Sequence, residues 1–230
     1  MLRILSSRLP TRNILKIGRK ASRAFFTHQN SQGLSQMSTQ NLSSLSSVAD
    51  SAKQLVWLDL ELTGLEVESD HILEAACIVT DGDLNVVAEC PLQVINWPDD
   101  ILNNMAEWPK EHHLKTGLTQ ACRESKTSLE DAERILLEFL KKHVPKGKCP
   151  LAGNSVYMDR IFLMREMPLV HNYLHYRILD VSTIKELARR WYPQVIKSLP
   201  QKQFTHRAYQ DILESIQELQ AYRKTIFRSE

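Results

Sequence analysis

The segment Trp57-Leu-Asp-Leu-Glu-Leu-Thr-Gly64 decides how the chain is interpreted. Asp59 and Glu61 are surrounded by large apolar residues, and such a run is typical of a β-strand. Residues two apart in a strand project from the same face, so we expect the two carboxylates to lie together. Burying them is costly unless a cation neutralises them. A hard divalent ion such as Mg²⁺ or Mn²⁺ would do so, and a half-exposed pair at a sheet edge is the alternative.

Two further acids and one histidine extend this pattern. Asp159 ends Gly153-Asn-Ser-Val-Tyr-Met-Asp159, and Asp211 ends His206-Arg-Ala-Tyr-Gln-Asp211. Four carboxylates could bind two ions about 3.5 to 4 Å apart, the arrangement used in two-metal phosphoryl chemistry. The unperturbed pKa of histidine, about 6.5, suits a general base near neutral pH. His206 is therefore a candidate base, and a surface or capping residue is the alternative.

Charge is unevenly distributed along the 230 residues. The first 49 residues contain seven Lys or Arg and no acid, which leaves 22 basic against 27 acidic residues in the remainder, a formal charge of −5. An acidic folded part does not favour a long nucleic acid held through many phosphates, whereas a short or terminal substrate remains compatible. The four cysteines have no Cys-x-x-Cys spacing, so neither a zinc site nor a disulfide framework is expected.

Residues 1–50 are predicted to be a mitochondrial transit peptide followed by a linker. The segment is rich in Ser, Arg and Leu, and its apolar residues are interrupted, unlike the continuous stretch of a secretory signal. A merely disordered basic tail is the alternative. Met37 follows the basic part, so an internal start there would produce a form for the cytoplasm or nucleus. The sequence also lacks an apolar run long enough for a transmembrane helix.

The pattern after residue 50 predicts a single α/β domain with a sheet of mixed direction flanked by helices. Three strand-like runs come first, and strands and helices alternate later. The predicted strands are 55–62, 72–80, 86–94, 150–153 and 177–180, and the predicted helices lie at about 99–117, from 127 or 128 onward, 182–191 and 207–227. In the last helix, apolar residues from Ala208 to Tyr222 form one stripe, and Asp211 lies on its flank.

The combination of these segments resembles the oligoribonucleases, a branch of the DEDDh 3′→5′ exonucleases, over about residues 53–227. The matching stretches are WLDLELTGL at 57–65, AGNSVYMDR at 152–160, HYRILDVST at 175–183, KELARRWYP at 185–193, and His206-Arg-Ala with Asp211-Ile. One departure is Gln210, where many members carry a second acid. We expect it to alter the surroundings of Asp211 and to leave activity intact.

The resemblance implies a ribonuclease H-like fold in an exonuclease domain spanning 51–230. It implies a homodimer that hydrolyses very short RNAs, dinucleotides above all, to 5′-mononucleotides. By position, Asp59, Glu61, Asp159 and Asp211 would bind two Mg²⁺ or Mn²⁺ ions, and His206 would be the general base.

The resemblance also assigns substrate contacts. Leu65 would be a wedge between the two bases, and Trp108 and His112 would contact a base or the 3′ end. Ser155 and Ser182 would bind a 5′-phosphate together with Tyr176 and Arg177 of the second subunit, since hydroxyl and guanidinium groups suit a phosphate.

Each contact has an alternative on residue type alone. Leu65 and Trp108 could be core residues, Tyr176 and Arg177 a dimer contact or a solvated pair, and Ser155 the cap of a helix. Two other functions also remain open. One is a general exonuclease that acts on longer RNA or on DNA, and the other is a noncatalytic RNA-binding module.

Overall fold

The computed structural model describes residues 53–199 and 207–227. The strands in these ranges are β1 (Leu55–Leu62), β2 (Ile72–Thr80), β3 (Val86–Glu89), β4 (Gln93–Val94), β5 (Leu151–Gly153) and β6 (Ile178–Asp180). The helices are α1 (Asp99–Asn103), α2 (Glu107–Lys115), α3 (Leu118–Glu124), α4 (Leu129–His143), α5 (Tyr157–Glu166), α6 (Pro168–Tyr173), α7 (Val181–Trp191), α8 (Pro193–Ser198) and α9 (Ala208–Thr225).

The described strands form one mixed sheet in the order β3-β2-β1-β5-β6, with β4 also paired to β2. The first three strands are antiparallel, whereas β1, β5 and β6 run parallel. This change of direction follows from the connections, because a short turn can join antiparallel strands and a helical crossover is needed for parallel ones. The predicted α/β class and mixed sheet are confirmed.

The two faces of β1 pack against different helices. Leu58 and Leu60 belong to a core with Leu136 of α4 and Phe162 of α5. Trp57 belongs to the opposite core, formed with residues of α7 and α9. Alternate side chains of a strand project to opposite faces, so this division also decides where Asp59 and Glu61 point.

The predicted apolar stripe of α9 is confirmed. Its members Ala208, Ile212, Ile216, Leu219 and Tyr222 are all buried. They pack on the same side of the sheet as Trp57. The stripe therefore determines the rotation of α9 about its axis and brings the flank that carries Asp211 towards β1.

Two predicted elements are each split in the structure. The strand run 86–94 is divided into β3 and β4, with Pro91 between them. Proline has no amide hydrogen to donate to the ladder, so the pairing is interrupted there. The helical region 99–117 is divided into α1 and α2. The predicted start at 127 or 128 agrees with the structure, since Ser128 Oγ accepts from the Asp131 amide at 3.1 Å.

Two further observations concern the cysteines and the hydropathy of the helices. Cys77, Cys90, Cys122 and Cys149 are free thiols and all are buried. No helix within 53–199 or 207–227 is long and apolar enough to cross a membrane. The predicted transit peptide and linker lie outside the described residues.

Candidate active site and metal centre

Asp59 and Glu61 lie at the carboxyl end of β1 and share the face that α9 covers. They continue the alternation of Leu55 and Trp57, which pack against α7 and α9. Glu61 is 9% exposed and Asp59 is half-buried. The strand periodicity therefore places both carboxylates where the apolar contact between sheet and helix ends.

Asp211 joins these two acids from the first turn of α9. One carboxylate oxygen each from Asp59, Glu61 and Asp211 lies within 4.8 Å of the other two. Ser215, one turn further along, donates its hydroxyl to the Asp211 carbonyl at 2.7 Å. The docking of one helix thus brings together acids that are 150 residues apart in the chain.

The electrostatics of this cluster favour a bound cation. The pKa of Glu61 is raised from 4.5 to about 8, first by burial and then by the charges of Asp211 and Glu74. The three donors are all carboxylate oxygens, which suit a hard ion such as Mg²⁺ or Mn²⁺ better than zinc. The residues present therefore fit a divalent metal.

Asp159 lies beside this cluster and is not among its three closely spaced acids. It is buried in the first turn of α5, and its Oδ1 accepts a hydrogen bond from the Leu60 amide at 2.9 Å. Burial raises the pKa of Asp159 to about 7, and the hydrogen bond from Leu60 opposes this rise. Its position opposite Leu60 puts the side chain at the same end of β1 as Asp59 and Glu61.

A close approach of two strands explains how Asp159 reaches β1. In the parallel pairing of β1 with β5, Val56 is opposite Leu151 and Trp57 is opposite Ala152. At Gly153, where β5 ends, a Cβ atom would lie 3.1 Å from the Leu58 carbonyl oxygen. The chain then turns into α5, and Asp159 bonds to an amide of β1 just beyond the paired residues.

His206, the predicted general base, lies outside the described residues. Its role therefore stays a prediction. The next residue along the chain, Arg207, is described and forms an ion pair with Glu74, with 2.7 Å between Nη2 and Oε2.

Leu65 lies in an exposed loop directly after β1. Its side chain is 66% exposed, so the core alternative is wrong. Asp70 holds the loop, because its carboxylate accepts from Thr63 Oγ1 at 2.7 Å and from the Glu66 amide at 2.8 Å. A Cβ atom at Gly64 would overlap the Asp70 carboxylate, so a larger residue there would displace the group that holds the loop. The loop presents an apolar side chain to solvent from a tightly bonded backbone.

Trp108 and His112 are stacked on each other on the surface of α2. Trp108 is 56% exposed, which also rules out its core alternative, and its ring centroid lies 4.0 Å from that of His112. The buried His113 ties this helix to β1, since its Nε2 is 3.0 Å from the Leu62 carbonyl oxygen and its Nδ1 is 3.9 Å from Glu61 Oε2. The aromatic pair is thereby anchored near the acidic cluster.

Ser155 and Ser182 are brought together where β5 and β6 end. Their hydroxyl oxygens are 3.2 Å apart, and the Ser155 amide donates to Ser182 Oγ at 2.9 Å and to Asp180 at 3.0 Å. Ser155 has a positive φ of 53°, which this network supports. The start of α5 has no side-chain capping bond and the Ser155 hydroxyl contacts Ser182 instead, so the alternative in which Ser155 caps that helix is wrong.

Tyr176 and Arg177 lie on the surface just before β6. Tyr176 is 74% exposed, and the Arg177 guanidinium lies 5.3 Å from its ring centroid. The Tyr176 ring also contacts His175, with 4.4 Å between ring centroids. Both residues are exposed in the subunit.

Comparisons with known proteins add the family. Residues 56–219 match the model of a family described as exonuclease. A probable oligoribonuclease of Drosophila melanogaster is 52% identical over 184 residues, covering 80% of this chain and 87% of the relative. The mitochondrial oligoribonuclease of Homo sapiens is 53% identical over 177 residues, covering 77% and 75%. The chain belongs to the oligoribonuclease family.

Solved structures show the fold of this oligoribonuclease family member. The exonuclease I of Methylocaldum szegediense has a TM-score of 0.58 at 20% identity over 75% of the chain. E. coli exonuclease I in complex with a dT13 oligonucleotide has a TM-score of 0.59 at 18% identity over 74% of the chain. The chain spans 41% of each of these longer proteins. The sheet is thus that of the ribonuclease H-like exonucleases, as expected.

Glu74, Arg207 and His113 surround the acids and are not among the site residues that the sequence predicts. Glu74 had a visible signal, because it is the one acid in the otherwise apolar or small run ILEAACIVT of β2. Arg207 and His113 lie in polar segments that contain other charged residues. Their proximity to Glu61 depends on packing and could not be found from spacing.

Proposed function

We propose that the chain is a metal-dependent 3′→5′ exoribonuclease that hydrolyses very short oligoribonucleotides, especially dinucleotides, to 5′-mononucleotides. The observation that carries this proposal is the cluster of Asp59, Glu61 and Asp211, whose ligand oxygens all lie within 4.8 Å of one another. Relatives at 52% and 53% identity that are named oligoribonucleases support the substrate class. A noncatalytic module would have no need for such a repulsive arrangement.

Four carboxylates would hold two Mg²⁺ or Mn²⁺ ions. Asp59, Glu61 and Asp211 would supply the clustered oxygens, and Asp159 would add its own from beside Leu60. When bound, the ions supply charge stabilisation at the phosphodiester and make water more acidic. The protein contributes the fixed positions of these acids, because β1, α5 and α9 are all packed in the core.

His206 would act as the general base that takes a proton from the attacking water. Its place in the sequence, five residues before Asp211, supports this role. An imidazole near its unperturbed pKa of about 6.5 can accept the proton at neutral pH.

Selection of short substrates would depend on the exposed residues around the acids. Leu65 would separate the two bases, and Trp108 with His112 would contact a base or the 3′ end. The paired hydroxyls of Ser155 and Ser182 would bind the 5′-phosphate, with Tyr176 and Arg177 supplied by a second copy of the chain. A closed 5′ side excludes a longer strand, which explains a preference for two nucleotides.

The active form would then be a homodimer. The exposure of Tyr176 supports this part of the proposal, since a large apolar ring on the surface is available to a partner. A molecular mass from sedimentation or light scattering tests it, and a monomer at assay concentration would contradict it.

The proposed cellular location of the protein depends on its N-terminal segment. Residues 1–50 would direct the protein to the mitochondrion and residues 51–230 would form the exonuclease domain. Relatives from Mus musculus and Homo sapiens that are named mitochondrial support this placement. An internal start at Met37 would supply the cytoplasm or nucleus. Fluorescent fusions that begin at Met1 or at Met37 test the two forms.

The decisive experiment is cleavage of end-labelled RNAs of two to about ten nucleotides with Mg²⁺ or Mn²⁺. We expect the dinucleotide to react fastest and the rate to fall with length. Equal rates at all lengths would contradict the length selection while leaving an exonuclease in place.

A general exonuclease for longer RNA or DNA is the second candidate. The solved exonuclease I structure with a dT13 oligonucleotide shares the fold and favours including it. The same length series made with DNA distinguishes the two candidates, because the second one predicts efficient cleavage of the longest strands.

A further inference from the structure

Glu74 is a fully buried acid that faces the candidate metal centre from the neighbouring strand. It is 0% exposed, and it is the cross-strand partner of Glu61 in the antiparallel pairing of β1 with β2. Like charges directly opposite each other in a sheet are destabilising. A buried carboxylate at this position therefore needs a compensating interaction.

Arg207 and the start of α9 supply that interaction. Arg207 donates from Nε to both Glu74 oxygens at 3.1 Å and from Nη2 to Oε2 at 2.7 Å. The Ala208 amide donates to Glu74 Oε1 at 3.0 Å. One carboxylate thus binds a guanidinium fork and the first helical amide at the same time.

These bonds make Glu74 the N-terminal cap of α9. The first amides of a helix have no partner within the helix and are commonly bound by a side chain at the N-cap. Arg207 holds the N-cap position of α9 without a side-chain capping bond of its own. A carboxylate from β2 takes this role instead and also complements the positive end of the helix dipole.

The cap lies within one turn of a candidate metal ligand. The Asp211 amide donates to the Arg207 carbonyl at 3.1 Å, so the residue that Glu74 holds also begins the turn that carries Asp211. Glu61 and Glu74 are paired in register on adjacent strands. Glu74 therefore connects Asp211 to Glu61. On one side it binds Arg207 and Ala208 at the start of α9, and on the other it pairs with Glu61 across the strands.

We propose that Glu74 is a positioning residue that, through Arg207 and Ala208, sets the first turn of α9 and so the place of Asp211 against Asp59 and Glu61. Its carboxylate oxygens are bound by Arg207 and the Ala208 amide, so it would act on the site through these two residues. The inference rests on the proposed function where turnover is concerned and not where metal binding or helix order is concerned.

The opposite end of α9 offers a matched control. There Arg223 Nη2 lies 2.6 Å from Asp83 Oδ1, so a second Arg–acid pair ties the same helix to the turn after β2. Both side chains of that pair are about half exposed or more. Asp83→Asn therefore removes the charge of this pair and weakens a tether of α9 at the end away from Asp211.

The test compares Glu74→Gln, Arg207→Lys, their double variant and Asp83→Asn in the full chain, well below the midpoint of thermal unfolding. Three quantities are measured: kcat and KM on an RNA dinucleotide, Mn²⁺ affinity by calorimetry, and hydrogen exchange of the amides from 208 to 211 in the metal-free protein. The last two do not depend on activity.

We expect Glu74→Gln to lower kcat by about ten- to a hundredfold with little change in KM, the range typical of residues that orient ligands. Mn²⁺ affinity should weaken about tenfold, the exchange at 208–211 should accelerate, and excess Mn²⁺ should restore part of the turnover. Arg207→Lys should show a smaller loss, and the double variant should be no worse than Glu74→Gln, because the two residues act as one unit. Asp83→Asn should match the wild type in all three measurements.

A folded Glu74→Gln with wild-type Mn²⁺ affinity and wild-type exchange at 208–211 would overturn the proposal. If Glu74→Gln does not fold, Arg207→Lys decides by the same two measurements. A wild-type protein without ribonuclease activity would contradict only the proposed function. The role of Glu74 would still be tested by the Mn²⁺ affinity and by the hydrogen exchange of the amides from 208 to 211.

Discussion

The acidic cluster and the exposed residues around it are built in opposite ways. Asp59, Glu61 and Asp211 are charged groups held close together in a largely buried position. Leu65 and Trp108 are apolar side chains exposed by more than half. Both sets lie where their residue types are unfavourable in the absence of a ligand. The difference separates two tasks, because changes in the acids should affect turnover and changes in the exposed residues should affect substrate binding.

The largest effect is expected for Asp211→Asn. Loss of one carboxylate from the cluster should lower turnover about a thousandfold, the scale seen when one electrostatic group of an active site is removed. The metal-free protein should be as stable as the wild type or more so, since a repulsive charge is gone. Single-turnover cleavage of a dinucleotide and thermal unfolding in EDTA measure the two effects. Unchanged turnover would remove Asp211 from the metal site.

A smaller effect is expected for Arg177→Ala. A charged donor to phosphate contributes about 1.5 to 3 kcal/mol, so KM for a dinucleotide with a 5′-phosphate should rise roughly ten- to a hundredfold while kcat changes little. Steady-state kinetics with and without the 5′-phosphate measure this. Arg134→Ala is the control, because Arg134 is an exposed arginine paired with Asp131 on α4. Wild-type kinetics would exclude Arg177 from the site.

Leu65→Ala should raise KM about tenfold, since burying a leucine side chain against a base is worth about 1.5 kcal/mol or more. The free energy of unfolding should stay within about 0.5 kcal/mol of the wild type, because the side chain is exposed. Leu169→Ala provides the comparison with another exposed leucine. A large loss of stability with normal KM would mean that Leu65 serves packing and not substrate binding.

The smallest effect concerns pH and stability. The pKa values of Glu61 and Asp159 are raised to about 8 and about 7 in the folded protein. Their contribution to stability is therefore present below about pH 4 and is lost as pH rises through 7 to 8. In EDTA, the free energy of unfolding should therefore fall as pH rises from 5 to 8.

Mg²⁺ should remove most of this fall, because it binds the ionised carboxylates. Asp211→Asn should also make the fall shallower, since the Asp211 charge helps to raise the pKa of Glu61. Denaturant unfolding at several pH values measures both differences. A metal-free slope that is the same in the wild type and the variant would contradict the coupling between the two acids.

Local patterns in the sequence predicted much of the fold. The bounds of β1 and β2 agree with the structure residue for residue, and the stripe of α9 is buried as its spacing indicated. The predicted strand 86–94 is two strands in the structure, with Pro91 between them. The sequence could not show whether the side chains of Leu65 and Trp108 are exposed or buried, since their residue types alone favour the core.

The sequence by itself determined which residues could bind metal and which faces they occupy. A strand period of two puts Asp59 and Glu61 on one face, and a helical period puts Asp211 beside the stripe of α9. Only the tertiary structure decided that these three acids meet while Asp159 bonds to Leu60, and that Glu74 caps α9 through Arg207. Periodicity is a property of a few neighbouring residues, whereas strand register and helix docking result from many distant contacts acting together.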